Sequence, residues 1–355
     1  MDNQRGALMR AEIDEQPQAL DRLLDQGAAA IAATAAAVRE RRPRFALLAA
    51  RGTSDHAALY AKYLLEVRLG LPCGLASPST LTGFGARPDL TDVLWITVSQ
   101  SGGSPDLVES TATARDCGAL TVAVTNAPES ALAGAAELGV DVLAGPERAV
   151  AATKSYTNQL LALYLLVEGV RAGAVSDAAR ALPGQVAAFL DGGRADGRLH
   201  ALAQRYRFVE RLVTTGRGYA YPTAREAALK LMETTYVAAH AFSAADLLHG
   251  PFAMIDADRP VLAVAPDGVG SAALEPVLRR LREREADVLL VADERVLHRW
   301  GGALSTVEVA LPAVPEELAP VVQIVPFQQL ALEMAVARGL DPDAPRGLAK
   351  VTLTH

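Results

Sequence analysis

The sequence has 355 residues, a length that predicts about two domains. Half of the residues are apolar and 21% are charged, as in globular proteins that bury a core. A net charge of −7 argues against a broad nucleic-acid surface, and two cysteines without a CxxC motif, Cys73 and Cys117, exclude a disulfide framework and a zinc finger. The N-terminus is polar and acidic, unlike a signal peptide, and the longest apolar run, near residues 27–38, is too short for a bilayer. We therefore expect a cytoplasmic protein that binds neither nucleic acid nor a membrane.

In chain order, the first predicted elements are helices over residues 1–39. An apolar run at residues 45–50 then meets a Gly-Thr-Ser turn and continues with a helical pattern, which indicates a strand, a turn and a helix. The expected apolar face of that helix comprises Leu59, Tyr63, Leu64 and Val67. The same order returns at residues 92–126. Short apolar strands that do not alternate with polar residues, and that are separated by helices, are typical of a parallel sheet covered on both faces.

The second half of the sequence repeats this order at an offset of 166 residues. Arg51-Gly52 is matched by Arg217-Gly218, and the strand end before Gly102 by the strand end before Gly268. The pattern predicts two tandem doubly wound parallel-sheet domains of the flavodoxin-like kind, at residues 40–180 and 198–340. An extended tail is expected over residues 341–355, after the helical segment 1–39 and these two domains.

A hydroxyl-rich turn follows the second strand of the first domain, with the sequence Ser-Gln-Ser-Gly-Gly-Ser at residues 99–104. Ser104 suits the N-cap of the next helix and Pro105 its first position. Backbone N–H groups at a helix N-terminus, surrounded by hydroxyls, are typical of a site for a phosphate monoester. Thr53 and Ser54 end the neighbouring strand and are expected to close the same pocket.

The alternative is that serine and glycine merely fill a tight turn. Two adjacent hydroxyl-rich turns at strand carboxyl ends, where such sheets bind ligands, favour the phosphate. The loop contains no Lys or Arg, so binding would rest on neutral donors and the helix dipole. The equivalent turn of the second half, residues 265–268, has no hydroxyl, which predicts one phosphate site per chain. A GxGxxG motif after the first strand and a P-loop are both missing.

A helix over residues 225–233 carries a second candidate site. Glu226, Lys230 and Glu233 stand at i, i+4 and i+7 and therefore share one face. The ordinary alternative is a solvated face with a salt bridge, but the segment is otherwise apolar and follows a Gly-rich turn. His249 precedes Gly-Pro in a loop, where an acid/base group is easily presented, although a loop histidine is usually structural.

Lysine is rare in this sequence, with four among 34 basic residues. An amine can deprotonate or attack a carbonyl, which a guanidinium cannot, so each lysine is a candidate for such chemistry. The four are Lys62, Lys154, Lys230 and Lys350.

Four separated segments resemble tandem sugar-isomerase (SIS) domains. They are the turn at 99–106, the Ala-Thr-Lys segment at 152–159, the stretch from 216 to 256, and Pro-Arg-Gly-Leu-Ala-Lys at 345–350. Within this family, the sequence resembles the isomerase half of glucosamine-6-phosphate synthase and the SIS-type aminosugar-phosphate deaminases. The resemblance covers about residues 40–355.

This resemblance implies a role for each candidate residue. Glu233 would move a proton between C1 and C2 of the sugar, with Lys230 beside it. His249 would open the sugar ring, in the neighbouring subunit's site of a homodimer, and Lys350 would meet the carbonyl end of the open-chain sugar. No metal or cofactor is expected. The implied binding residues are Gly52, Thr53, Ser54, Ser99, Gln100, Ser101, Gly102, Ser104, Val150 and Ala349.

Departures from the synthase pattern favour the deaminases. Synthases have a glutaminase domain with a cysteine after the initiator methionine, whereas this sequence has Asp2 and too few residues for that domain. Gly103 stands where synthases carry an acidic residue, and Arg51 replaces a small residue. We therefore expect an aminosugar-phosphate deaminase that converts glucosamine-6-phosphate to fructose-6-phosphate and ammonia.

Three alternatives remain open. The first is a synthase-like aminotransferase that uses free ammonia or a separate glutaminase. The second is an enzyme for galactosamine-6-phosphate or fructosamine-6-phosphate. The third is a sugar-phosphate-binding regulator, which is disfavoured because residues 1–40 lack a basic recognition helix.

Overall fold

The computed structural model describes residues 5–300 and 302–350. The remaining residues, which include the start of the predicted helical segment and residues 351–355 of the predicted tail, lie outside the described part. The chain divides into two compact units. The first-sheet unit contains residues 16–147, 154–180 and 349–350, and the second-sheet unit contains residues 5–15, 148–153 and 181–348 except 301.

Helices begin the described chain, as the sequence predicts. They are α1 (Ala7–Asp14), α2 (Gln16–Arg22), a π-helical turn (Leu23–Gly27) and α3 (Ala28–Arg41). The N-terminus of α1 is capped by Asp343, whose carboxylate accepts hydrogen bonds from the N–H groups of Leu8 at 2.9 Å and Met9 at 2.8 Å. A carboxylate at this position satisfies orphan N–H groups and offsets the helix dipole.

The first-sheet unit is built around five parallel strands in the order β2-β1-β3-β4-β5. The strands are β1 (Phe45–Ala50), β2 (Cys73–Leu75), β3 (Val93–Ser99), β4 (Leu120–Thr125) and β5 (Leu138–Asp141). The later helices of this unit are α4 (Thr53–Leu69), α5 (Pro78–Thr82), α6 (Pro105–Asp116), α7 (Ala131–Ala135) and α8 (Lys154–Val170). Strand β4 is buried along its whole length, as expected for a strand covered by helices on both faces.

The second-sheet unit has the same topology, with its strands in the order β7-β6-β8-β9-β10. These strands are β6 (Arg211–Gly216), β7 (Ala238–Ser243), β8 (Val261–Ala265), β9 (Val288–Asp293) and β10 (Val307–Leu311). The helices are α9 (Asp177–Asp196), which begins in the first-sheet unit, α10 (Arg198–Tyr206), α11 (Ala220–Thr235), α12 (Ala244–Leu248), a 3₁₀ turn (Pro251–Met254), α13 (Val269–Glu283), α14 (Glu294–Trp300) and α15 (Ala319–Ala337). The prediction of two flavodoxin-like parallel sheets is confirmed.

The internal repeat is visible in the strand boundaries. Strand β6 begins and ends 166 residues after β1, and β8 ends 166 residues after β3. In both sheets the chain reverses its direction of winding between the first and third strands, β1 and β3 or β6 and β8. Parallel sheets of this kind bind ligands at the carboxyl ends of the strands that flank this point.

Two expectations about apolar segments need correction. Val67 was expected on the apolar face of α4, but it is 64% exposed, whereas Leu59 and Leu64 of the same predicted face are buried. The expectation that the sequence has no apolar stretch long enough for a bilayer also changes, because in the described part of the chain α15 has a length and composition that would suit a membrane span. Since 83% of its apolar stretch is buried inside the protein, α15 is a core helix of its unit.

Candidate active-site residues

The hydroxyl-rich turn lies at the carboxyl end of β3, and α6 starts directly after it. The Ser99 Oγ accepts a hydrogen bond from the N–H of Gly102 at 3.2 Å, and the Ser101 Oγ accepts one from Gly103 at 3.3 Å. Because a hydroxyl has one donor and two acceptor positions, both O–H groups remain able to donate to an anion. Ser104 stands at the N-cap but makes no side-chain capping bond. The turn therefore keeps hydroxyl donors for a ligand.

Gly102 is required by this turn for two reasons. Its φ is +61°, in the left-handed region, and a Cβ would lie 2.0 Å from the Ser130 Oγ. The backbone can therefore follow this path only with glycine. The Gly102 carbonyl also accepts a hydrogen bond from Leu132 at 3.1 Å, which ties the turn to α7.

A buried chain of hydrogen bonds fixes α6 on β3. The Trp95 indole donates to the Thr97 Oγ at 2.9 Å, and Thr97 in turn bonds to the Thr111 hydroxyl at 2.7 Å. Thr111 lies on α6 and donates to the Leu107 carbonyl. Satisfied polar contacts between apolar layers set the position of one element on another. The N-terminus of α6 is thereby held at the edge of the sheet.

The second hydroxyl-rich turn lies beside the first, since β1 and β3 are adjacent and parallel. Gly52 has a φ of +55° and joins β1 to α4, which starts at Thr53. Ser54 is buried, and its Oγ accepts a hydrogen bond from Gln159 of α8 at 3.0 Å. The predicted set Gly52, Thr53, Ser54, Ser99, Gln100, Ser101, Gly102 and Ser104 thus lies in two neighbouring turns of one unit.

Lys350 belongs to the same unit and pairs with a carboxylate that the sequence analysis missed. Its Nζ lies 2.9 Å from the Oε2 of Glu147, whose side chain has no exposed surface. Ser155, at the start of α8, donates to Glu147 from its N–H at 3.0 Å and from its hydroxyl at 2.7 Å. The sequence feature that could have identified Glu147 is its position as an isolated acidic residue seven residues before Lys154. Nothing in the neighbouring sequence connects Glu147 to residue 350, however.

The charge state of Glu147 follows from this environment. Burial alone would raise its pKa, but the Lys350 ammonium and the hydrogen bonds from Ser155 outweigh burial and hold the pKa below its ordinary value. Glu147 is therefore a carboxylate at neutral pH. A buried carboxylate that is hydrogen-bonded on both oxygens holds the terminal lysine in a defined place.

The face of α11 predicted from spacing is buried, so the solvated-face alternative is wrong. Lys230 lies between two carboxylates, 3.4 Å from the Oε1 of Glu226 and 2.5 Å from the Oε2 of Glu233. The side chains of Lys230 and Glu226 have no exposed surface, whereas Glu233 retains 22%. Buried charges persist only when they are paired, and clusters of this kind concentrate at functional sites. Glu233 is the member that solvent, or a ligand, can reach.

Two contacts hold α11 in place within its unit. The Thr214 Oγ of β6 donates to the Ala224 carbonyl at 2.7 Å. The Thr234 Oγ donates to the Lys230 carbonyl at 2.8 Å and approaches the Ala331 carbonyl of α15 at 3.4 Å. The backbone that carries Lys230 is therefore tied to the core helix.

The remaining predicted residues lie in loops. His249 follows α12, is exposed, and has a backbone N–H bonded to Asp246 at 3.0 Å. Val150 lies in the segment 148–153 of the second-sheet unit, and Ala349 is exposed beside Lys350. The expectation that His249 acts in a neighbouring subunit's site concerns a second chain and stays a prediction.

The equivalent turn of the second sheet holds a carboxylate of the protein itself. Glu316 accepts hydrogen bonds from the N–H groups of Val269 at 2.9 Å and Gly270 at 2.7 Å, at the N-terminus of α13. A Cβ on Gly268 would lie 2.2 Å from this carboxylate. The anion position of the second copy is therefore already filled, which agrees with the prediction of one phosphate site per chain.

Family comparison agrees with the fold. The SIS domain family matches residues 41–169 and 207–338, which cover most of the chain and both sheets. The chain belongs to the SIS-domain family.

Within that family, the chain is homologous to the isomerase half of glutamine–fructose-6-phosphate aminotransferase. The Pseudomonas syringae pv. tomato enzyme is 34% identical over 96% of this chain, and the match spans 58% of that enzyme's length. A solved structure of a candidate phosphosugar isomerase from Silicibacter pomeroyi is 36% identical, with a TM-score of 0.83 over 94% of this chain and 99% of that one. The C-terminal domain of the glucosamine–fructose-6-phosphate aminotransferase from Francisella tularensis is 26% identical, with a TM-score of 0.83 over 96% and 99% of the two chains.

Proposed function

We propose that this protein is an aminosugar-phosphate deaminase that converts glucosamine-6-phosphate to fructose-6-phosphate and ammonia. The observation that carries the proposal is the buried Glu226–Lys230–Glu233 cluster with only Glu233 accessible. A carboxylate held by a buried cation suits a reaction in which one group takes a proton and returns it. The hydroxyl-rich turns supply the complementary function, which is to bind a phosphate monoester.

Each chemical step is assigned to a residue of the chain. His249 acts as general acid/base to open the sugar ring, which gives an aldehyde at C1 and an amine at C2. Glu233 removes the proton from C2 and returns it to C1, while the C1 oxygen gains a proton and the nitrogen loses one. The product is the imine of fructose-6-phosphate, which water hydrolyses to the ketone with release of ammonia. Lys350 interacts with the C1 oxygen during this transfer.

The phosphate site is tested with Ser101→Ala and Ser104→Ala. Each variant removes one hydroxyl donor to a charged acceptor, an interaction of about 1.5–3 kcal/mol when desolvated. KM for the phosphorylated sugar is expected to rise by ~10-fold or more per hydroxyl while kcat changes little. Ser77→Ala, in the loop before α5, is the matched control. Unchanged KM values in both Ser101→Ala and Ser104→Ala would show that the phosphate binds elsewhere.

The reaction is tested by measuring ammonia release from a panel of substrates. Glucosamine-6-phosphate is expected to be turned over, and unphosphorylated glucosamine is expected to be a poor substrate. Galactosamine-6-phosphate and fructosamine-6-phosphate test the alternative specificities. Release from one of these two and not from glucosamine-6-phosphate would reassign the substrate, and no release from any of them would contradict deamination.

A second candidate is an aminotransferase-like synthase activity, which the 34% identity to glutamine–fructose-6-phosphate aminotransferase favours. The same residues would then move the proton from C1 to C2 of the imine. Formation of glucosamine-6-phosphate from fructose-6-phosphate with either ammonia or glutamine measures this activity. Rapid synthesis combined with undetectable ammonia release would favour the synthase over the deaminase.

A further inference from the structure

An ion pair links the two hydroxyl-rich turns of the first-sheet unit. The Nη2 of Arg51, the residue before Gly52, lies 2.7 Å from the Oδ2 of Asp106 in the first turn of α6. Asp106 is 4% exposed, whereas the Arg51 side chain is 46% exposed. The other oxygen of Asp106 accepts a hydrogen bond from the N–H of Leu107 at 2.9 Å. A buried carboxylate therefore sits at the helix N-terminus that the phosphate is proposed to use.

A carboxylate in this position opposes the proposed ligand. Asp106 is two residues after Ser104, so its negative charge and that of a phosphate would share one helix N-terminus. Two negative charges that share one helix N-terminus repel each other, and the repulsion is strong where water is excluded. The turn at 99–104 contains no cation of its own. Something must offset the charge of Asp106 before the dianion can bind well.

We propose that Arg51 is the positioning residue that makes this turn competent for phosphate, because it neutralises Asp106. This inference rests on the proposed function, since it concerns the same phosphate site. Arg51 suits the task because a guanidinium stays protonated and binds a carboxylate at a fixed geometry. Strands β1 and β3 pair up to Ala50 and Val98, which brings the residue after β1 to the edge where the turn after β3 begins. The phosphate itself is held by hydroxyl and backbone donors, and Arg51 acts on it through Asp106.

The experiment is a double-mutant cycle in the full chain, with inorganic phosphate as the probe and calorimetry as the readout. Arg51→Ala is expected to weaken phosphate binding by ~10-fold or more, because it leaves Asp106 uncompensated. Asp106→Asn alone is expected to bind phosphate at least as tightly as the parent chain. The double variant is expected to return to within ~3-fold of the parent chain, because neither charge remains.

Arg41→Ala is the matched control. Arg41 makes an ion pair of the same 2.7 Å length with Glu137, which precedes β5 and so lies at the opposite edge of the same sheet. This variant makes the same change in net charge and is expected to leave phosphate binding unchanged. An equal loss in Arg41→Ala would mean that net charge, and not the Arg51–Asp106 pair, governs binding.

Three further results would overturn the inference. If the double variant binds phosphate as weakly as Arg51→Ala does, Arg51 binds the phosphate directly. If Arg51→Ala binds phosphate with normal affinity, Arg51 does not contribute to phosphate binding. Weaker binding by Asp106→Asn would show that the carboxylate aids the ligand, and this variant tests the idea even if Arg51→Ala fails to fold. Failure of the proposed function is distinguishable, because it would appear as no ammonia release from any substrate of the panel while these binding ratios stay as expected. Equally tight phosphate binding by Ser101→Ala would instead show that the phosphate site lies elsewhere.

Discussion

At the scale of single residues, burial distinguishes two ion pairs that have the same spacing in the sequence. Lys62 and Glu66 form an i,i+4 pair on α4 with side chains 28% and 35% exposed, as on many helix surfaces. Lys230 and Glu226 form a pair of the same spacing with no exposed surface. The spacing is identical and visible in the sequence. The burial of the second pair depends on the packing of α11 in its unit, so the sequence could not predict it.

Replacing Glu233 by glutamine tests the proton shuttle. Glutamine keeps the shape and one acceptor but cannot take the proton, so kcat is expected to fall by about 10²–10⁴ while KM changes little. Exchange of the C2 hydrogen with heavy water should stop as well. Glu66→Gln makes the same chemical change in the exposed pair and should leave the rate unchanged. Substantial activity in Glu233→Gln would remove Glu233 from this role.

Replacing Lys350 by arginine tests the amine, because the change keeps the positive charge. We expect kcat to fall by ~10²-fold or more, since a guanidinium is wider and does not give up its proton. The buried Glu147 still provides a partner for the new side chain, so the loss would not come from a missing ion pair. Lys62→Arg is the control at an exposed ion pair. Near-normal turnover in Lys350→Arg would place Lys350 outside the reaction.

At the scale of elements, the order of strands and helices was predictable because each strand is a short apolar run followed by a turn. The hydroxyl-rich turn at α6 and the shared face of α11 were predictable too, since both depend on spacing within about ten residues. The pairs Arg51–Asp106 and Glu147–Lys350 were not. Each joins single charged residues far apart in the chain, and such contacts leave no periodic signal. The exposed Val67 shows the converse, because an apolar residue at helical spacing need not be buried.

The capping of α13 by Glu316 gives a prediction at this scale. Glu316→Ala leaves two N–H groups at the helix start without their carboxylate, which is expected to lower the free energy of unfolding by about 1–2 kcal/mol. Glu316→Gln keeps one acceptor and should lose roughly half as much. Urea unfolding measures both, with Glu283→Ala, at an exposed position on the same helix, as the control. Equal stability in all three variants would show that the cap contributes nothing.

At the scale of the whole molecule, acid sensitivity follows from two buried carboxylates of the first-sheet unit. Burial opposes the ionisation of Glu168, but hydrogen bonds from Arg68 and Arg171, both at 2.8 Å, outweigh it and lower its pKa, as Lys350 and Ser155 do for Glu147. A carboxyl whose pKa is lowered on folding stabilises the native state above its ordinary pKa of 4.5 and loses this contribution as the pH falls below it.

The measurement is the free energy of unfolding in urea at pH 7, 5, 4 and 3. The parent chain is expected to lose stability steeply below pH 4.5. The double variant Glu147→Gln/Glu168→Gln should be less stable at pH 7 but lose less between pH 5 and pH 3, because its amides do not titrate. Parallel curves for the two proteins would show that these carboxylates do not govern the acid response.

The equivalent positions of the two sheets differ in their side chains. In each unit, a turn at the carboxyl end of a central strand leads into a helix N-terminus. The turn before α6 has hydroxyl side chains, whereas the N-terminus of α13 is bonded by the Glu316 carboxylate. The second unit instead carries the buried charge cluster on α11.

The scarcity of lysine makes the protein unusually simple to map with amine-reactive reagents. Lys154 and Lys230 are buried, with 1% and 0% of their surface exposed. The side chains of Lys62 and Lys350 are 28% and 24% exposed. Acylation of the folded chain should therefore mark two side-chain amines, one of them at the proposed site. A sugar phosphate that occupies the site would shield Lys350 and leave Lys62 as an internal standard in the same mass spectrum. Ligand occupancy could thus be counted on unmodified protein, without a fluorophore, an engineered cysteine or a catalytic assay.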